Sequence, residues 1–256
     1  MMNKIRKLLV APLLLLFFTS PVLAQDTGIQ FVEGKSWQEI LALSKKLNKP
    51  IFLDCYTVWC APCKVMAKEV FPLKEVGDFM NPNFINVKLD MEKGEGLDLY
   101  KKYKEYIPGF PTFLLFNSNG EIMHQVAGYT VADKFISKMK DGLNENTWIA
   151  YSAKYKAGER DWSFLQSYLK LLEDAFQTSV INEVTQEILP KLTIDILSKD
   201  TSAYKTFRKY WNTTDGDILF KVLSSPDLYR KNKDTDRDIN DWAGRIYGKT
   251  VNQYIK

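Results

Sequence analysis

Ile51-Phe52-Leu53-Asp54-Cys55-Tyr56 runs, by way of Thr57 and Val58, into Trp59-Cys60-Ala61-Pro62-Cys63-Lys64. Both alternating sets of the first six residues are mostly apolar, the mark of a strand covered on both faces, and Asp54 is the exception. A Cys-x-x-Cys pair that leaves such a strand and opens a helix sets its first sulfur against the unpaired N–H groups and the positive dipole end of that helix. This favours thiolate over thiol, so Cys60 is the expected nucleophile. The spacing brings Cys63 within bonding reach on the same turn, and a mixed disulfide on Cys60 can then be resolved internally. The pair is expected to cycle between dithiol and disulfide.

Two plainer roles for the pair fit less well. Zinc wants about four Cys or His ligands, and beyond the pair the chain offers only Cys55 and His124, so no metal is expected. A structural disulfide closing so small a loop restrains little of the unfolded chain, because the gain grows with loop length. Asp54 is expensive to bury ionised. A raised pKa and a proton-handling role are expected of it, against the alternative of a structural Asp bonded to backbone. Alternation along the strand puts Cys55 on the opposite face, with Ile51 and Leu53, where it is expected to be a buried small hydrophobe rather than a resolving thiol.

Asp54 lies six residues before Cys60, Trp59 precedes it, Lys64 follows Cys63, and Phe110-Pro111-Thr112 introduces the apolar run Phe113-Leu114-Leu115-Phe116. Together these resemble the thioredoxin superfamily over roughly residues 31–143. Asn48-Lys49-Pro50 and Cys63-Lys64-x-Met66 are more similar to the thioredoxin-like reductant domains of bacterial envelopes than to cytosolic thioredoxin. The resemblance implies an α/β thioredoxin-like fold, a central mixed sheet flanked by helices. It implies a buried acid, Asp54, beneath the dithiol, with Lys88 close to it, and a cis-proline, Pro111, facing the pair. Substrate would be held by Trp59 and by the backbone of Phe110. The implied partners are protein disulfide substrates and an upstream membrane electron donor, with no cofactor.

The first 24 residues have the composition of an export signal: Lys4, Arg6 and Lys7, then apolar Leu8 to Phe18, then Val22-Leu23-Ala24 at the cleavage positions. The apolar run is shorter than the ~20 residues of a spanning helix, so cleavage and a periplasmic destination are expected. Of the formal charge of +4, those three cations supply most. A nearly neutral remainder gives no electrostatic case for nucleic acid. Hydrophobic content of 45% and aromatic content of 13% are ample for a packed core, whereas three cysteines are too few for a disulfide scaffold.

Strand and helix patterns alternate over residues 25–144. A short strand is expected at Ile29 to Glu33, a helix capped by Ser36 reaching Leu47, and a helix from Ala61 that Pro72 ends or kinks. Leu73 to Met80 reads as a second short helix, Phe84 to Leu89 as a strand, and Leu97 to Tyr106 as a helix. A hairpin pairs Phe113 to Phe116 with Glu121 to Ala127 across Asn117-Ser118-Asn119-Gly120. Within it His124 is expected to be an ordinary surface or edge residue. Val131 to Leu143 closes the unit as a helix. Residues 145–256 show only helical spacing, as in Trp162, Leu165, Tyr168, Leu169 and Leu172, and are expected to form a small all-helical domain. Arg230 to Asp238, with its alternating charges, reads as a solvated loop.

The leading function is an exported thiol:disulfide reductase. Ala61-Pro62 adds no cation to stabilise the thiolate, which places the potential toward about −270 mV rather than about −120 mV. An oxidase or isomerase of the same fold is the first alternative. A helical interaction module with an incidental dithiol is the second.

Overall fold

The computed structural model describes residues 27–214 and 217–254, so the expected leader at residues 1–24 lies outside the described residues. Helix α1 (Trp37–Leu47) starts on Ser36, whose hydroxyl accepts the Glu39 N–H while the Glu39 carboxylate accepts the Ser36 N–H at 2.8 Å. This reciprocal cap satisfies two of the donors a helix start leaves open. Strand β1 (Ile51–Tyr56) leads to α2 (Ala61–Val65), which continues through a π turn, Met66–Val70, to a stop at Pro72. There follow α3 (Lys74–Asn83), β2 (Ile85–Asp90), α4 (Gly94–Tyr103), β3 (Thr112–Phe116), β4 (Ile122–Ala127) and α5 (Ala132–Leu143).

The sheet has the order β2-β1-β3-β4, with β1 parallel to β2 and antiparallel to β3. Strand β1 is therefore central, and the two-faced burial expected of it is present. Ile51, Leu53 and Cys55 pack with Trp37 and Ile40 on one side. Phe52 packs with Met66, Phe113, Phe135 and Met139 on the other. Each such aromatic or aliphatic side chain is worth about 1.5–3 kcal/mol when fully buried.

The expected strand at Ile29 to Glu33 is reduced to a single bridge from Phe31 to Asn86. Its donors go to separate partners: Ile29 N–H to the Phe71 carbonyl, Gln30 N–H to Asn81 Oδ1, and Val32 N–H to the Asn86 carbonyl. A segment bonded to a helix end, a side chain and a strand in turn cannot form a ladder.

His124 corrects a second expectation, for it is buried, with 1% of its surface exposed. The reason is Gly142 on α5. A Cβ there would lie 2.4 Å from Leu115 Cδ1 and 2.9 Å from His124 Cδ2, so only glycine lets α5 settle onto the imidazole.

After α5 the described chain is helical: α6 (Trp148–Lys156), α7 (Trp162–Asp174), α8 (Thr178–Ile188), α9 (Ile194–Lys199), α10 (Thr201–Tyr210), α11 (Ile218–Leu223), α12 (Pro226–Lys231) and α13 (Asp236–Tyr254). Their core gathers Leu165, Tyr168, Leu172, Tyr204, Phe207 and Trp242. The solvated loop expected at Arg230 to Asp238 shrinks to the few residues between α12 and α13. Pro226 starts α12, and α13 is capped by Thr235 and Asp238, whose side chains each accept the other's N–H, at 3.1 and 2.8 Å. Arg230 and Asp236 pair at 2.9 Å across the gap.

Helices α6 and α7 lie against β4. The Gln125 side-chain amide, fully buried, donates to the Ala175 carbonyl at 2.8 Å and accepts from Gln177 Nε2 at 3.0 Å. Lys138 on α5 pairs with Asp174 at 2.8 Å. These bonds fasten the turn between α7 and α8 to the sheet edge.

Burial pushes the His124 pKa down to about 4, with Lys138 and Asp174 acting on it in lesser and mixed ways. A base with a depressed folded pKa contributes stability above its unfolded value of about 6.5 and loses it as the pH falls through 4. Wild-type protein is expected to lose on the order of 3 kcal/mol through this group between pH 6.5 and 4. His124→Leu should flatten that part of the slope in urea unfolding. An unchanged slope would clear His124 of the effect.

Candidate active site

Strand β1 delivers the chain to a tight corner at which the Cys60 N–H donates to the Thr57 carbonyl at 3.2 Å. Cys60 is then the cap of α2, its sulfur accepting the Cys63 N–H at 3.1 Å. An N–H aimed at sulfur from a helix start is the arrangement that favours a thiolate there. Pro62 falls within the first turn, where its missing N–H has no intrahelical partner to lose. Cys60 and Cys63 are joined as a disulfide, their Cα atoms 5.3 Å apart.

Behind the pair lies a cleft of ≈ 660 Å³, lined among others by Asp54, Thr57, Cys63 and Lys88. Asp54 pairs in register with Lys88 of β2 on one side and Phe113 of β3 on the other. Its Oδ1 and the Thr57 hydroxyl are both buried without a hydrogen-bond partner in the protein. Burial pushes the Asp54 pKa up to about 7, against a smaller downward pull from Lys88. A carboxyl titrating there can take or give a proton at neutral pH. The other wall of the cleft is Gly28, Ile29 and Phe31, from the segment before α1, with Phe71 and Pro72 from the end of the π turn. Neither Thr57 nor this wall is legible from motif spacing. The available signal for Thr57 is a small hydroxyl directly after the central strand.

Cys55, on the opposite face of β1, is fully buried and free, and burial first and the Asp54 charge second push its thiol pKa well up. It is not brought to the pair. The Phe110–Pro111 peptide bond is cis. Pro111 is buried at the start of β3, and its carbonyl accepts the Gly128 N–H at 2.8 Å. The rings of Phe110 and Trp59 meet edge to face, 6.0 Å apart. The Trp59 indole N–H donates to Glu92 Oε2 at 3.0 Å, which holds the ring upright although it is 63% exposed. Cys60, Cys63, Asp54, Pro111, Trp59 and Phe110 thus share one end of the sheet. His124 does not belong to it. No metal-binding group of side chains occurs among the described residues.

A family model described as Thioredox_DsbH, protein of unknown function DUF255, matches residues 14–137. Thioredoxin Y1 of Arabidopsis thaliana chloroplasts is 34% identical over 108 residues, which are 42% of this chain and 56% of that protein. The thiol:disulfide interchange protein DsbD of Klebsiella pneumoniae is 27% identical over 127 residues, 48% of this chain and 21% of that one. Among solved structures, a proposed disulphide-isomerase of Bacteroides thetaiotaomicron is 42% identical, with a TM-score of 0.42 over 47% of this chain and 97% of its own. The chain is thus similar to thioredoxin-like disulfide oxidoreductases, and it carries a Cys60-Ala-Pro-Cys63 pair. It spans about half the length of the chloroplast thioredoxin and about a fifth of the DsbD protein it matches.

The raised pKa of Asp54 has a stability counterpart. The folded acid keeps its proton up to about 7, whereas the unfolded one releases it near 3.8, so the contribution is fully present below 3.8 and lost as the pH rises through 7. Asp54→Asn is therefore expected to be more stable than wild type at pH 8, by on the order of 4 kcal/mol at most. The difference should vanish near pH 4. Urea unfolding of the oxidised proteins at both values measures it, and a variant that is no more stable at pH 8 refutes the raised pKa.

Proposed function

We propose that this chain is an exported, periplasmic thiol:disulfide oxidoreductase that reduces disulfides in protein substrates. The observation that carries this reading is the coincidence of a helix-capping Cys60, a partner Cys63 on the cleft, and a buried acid that titrates near neutrality in that same cleft. In the reduced protein the Cys60 thiolate attacks one sulfur of a substrate disulfide, and the other substrate sulfur leaves as a thiolate. Cys63 then gives its proton to Asp54 and attacks the Cys60 sulfur. The second substrate thiolate departs, and two electrons have passed to the substrate. The disulfide present in the structure is the oxidised end of this cycle, to be reduced again by an upstream membrane dithiol donor.

Export is supported by the composition of residues 1–24, and no helix among the described residues is long and apolar enough to cross a membrane. The reducing direction is supported by the uncharged Ala61-Pro62. Residues 25–144 would be the redox domain and residues 145–256 a helical domain, a division supported by buried clusters that share no residue between the two stretches.

Three variants test the assignment with insulin as a generic substrate. Cys60→Ser and Cys63→Ser should both abolish turnover, but only Cys63→Ser should accumulate mixed disulfides, since it attacks and cannot release. Asp54→Asn should slow turnover near pH 7 by about a hundredfold, and should remove the rise in rate as the pH passes through 7. In the reduced wild type, iodoacetamide should label Cys60 ahead of Cys63. Faster labelling of Cys63 would overturn the order of attack, and a redox titration against glutathione decides the direction.

A further inference from the structure

Phe176 stands in the turn between α7 and α8, and two features set it apart. Its φ is +54°, a left-handed conformation that a bulky side chain adopts rarely and at a cost. The residue is 54% exposed. The turn has no freedom to relieve this, because the residues on either side are fastened: Ala175 and Gln177 to Gln125, and Asp174 to Lys138.

The ring rests on Gly128. A Cβ on that glycine would lie 2.7 Å from Phe176 Cζ and 3.2 Å from Cε2, so the contact exists only because residue 128 has no side chain. Gly128 is also the residue whose N–H is held by the Pro111 carbonyl. A succession of contacts therefore runs from Trp59, next to Cys60, across the ring of Phe110 to the buried Pro111, on to Gly128, and ends at Phe176. Beside Gly128, Tyr129 is 47% exposed and adds a further aromatic surface.

We infer that Phe176 is a specificity-determining residue: the helical half places its ring as the far wall of the substrate groove. The ring takes an apolar or aromatic side chain of the polypeptide that flanks the target disulfide. The inference rests on the proposed oxidoreductase reading. It also gives the helical half a part in substrate choice through one turn. An exposed aromatic surface that loses water against an apolar partner gains affinity with no demand on main-chain bonding, which is otherwise indifferent to sequence.

The test uses the full chain and a pair of disulfide-closed peptides that differ only by Phe or Gly at a position flanking the cysteine. Wild type should favour the Phe peptide. Phe176→Gly removes the ring and suits the left-handed backbone, so its melting temperature should not fall. Its preference for the Phe peptide, as the ratio of kcat/KM values, should drop about tenfold. The loss should lie in KM, with kcat and the reduction potential of the Cys60–Cys63 pair at their wild-type values. Phe176→Tyr should restore the preference. An equal change for both peptides, or none, overturns the inference and leaves the oxidoreductase reading standing. Wild type inert toward both peptides sinks that reading and the inference with it. Sedimentation that shows a dimer lost in Phe176→Gly would assign the ring to a second copy of the chain and also overturn it.

Discussion

A carboxyl group carried into an apolar layer by the central strand is the constraint around which this structure is arranged. Strand β1 can hold Asp54 there because its neighbours on the sheet, Lys88 and Phe113, come from strands anchored on both flanks. The Phe52 cluster beneath supplies the packing that keeps the position fixed. What the burial costs in stability it returns as a proton affinity matched to neutral pH, the range in which a thiol must be deprotonated to attack. The cleft behind the disulfide completes the arrangement. Asp54 and Thr57, whose Oδ1 and hydroxyl have no protein partners, line this cleft, which is large enough for water.

The parts legible in the sequence are those in which local chemistry and tertiary fold agree. Ile51 to Tyr56 shows two apolar faces because it is the central strand, and Asp54 stands out there because nothing local explains it. Ser36 before α1, Pro72 after the helix, and Pro111 before β3 each announce themselves by residue type. The failures have a shared physical origin in contacts between segments far apart in the chain. His124 looks like a strand residue facing water until α5 is laid across it, and the permission for that contact is written at Gly142. Ile29 to Glu33 has strand composition, but its donors are claimed by Phe71, Asn81 and Asn86. The charges of Arg230 to Asp238 suggest solvent, although Thr235 and Asp238 are a cap that starts a long helix.

The join between the two halves is polar at its centre and covers the side of β4. An open edge strand presents unpaired backbone groups to any passing strand, a hazard of edge-to-edge aggregation. Here α6 and α7 occupy that flank, and the Gln125 amide, fully buried, is satisfied from both sides by the Ala175 carbonyl and Gln177. A buried amide with both partners present fixes one docking geometry, since any sliding of the helices would leave its polar atoms unpaired. The helical half therefore protects the sheet and is held in register with it by the same few bonds.

Cys55 shows what a redox protein gains from the alternation of a β-strand. It is one residue from Asp54, yet it lies on the other face of the sheet, fully buried, with a thiol that stays protonated. A third thiol with access to the Cys60–Cys63 bond would open internal exchange, and each wrong pairing would leave a molecule unable to turn over until something else rescued it. Sealed behind the sheet, Cys55 takes no part in that traffic. The Cys60–Cys63 bond is left with no third sulfur of its own chain to exchange with.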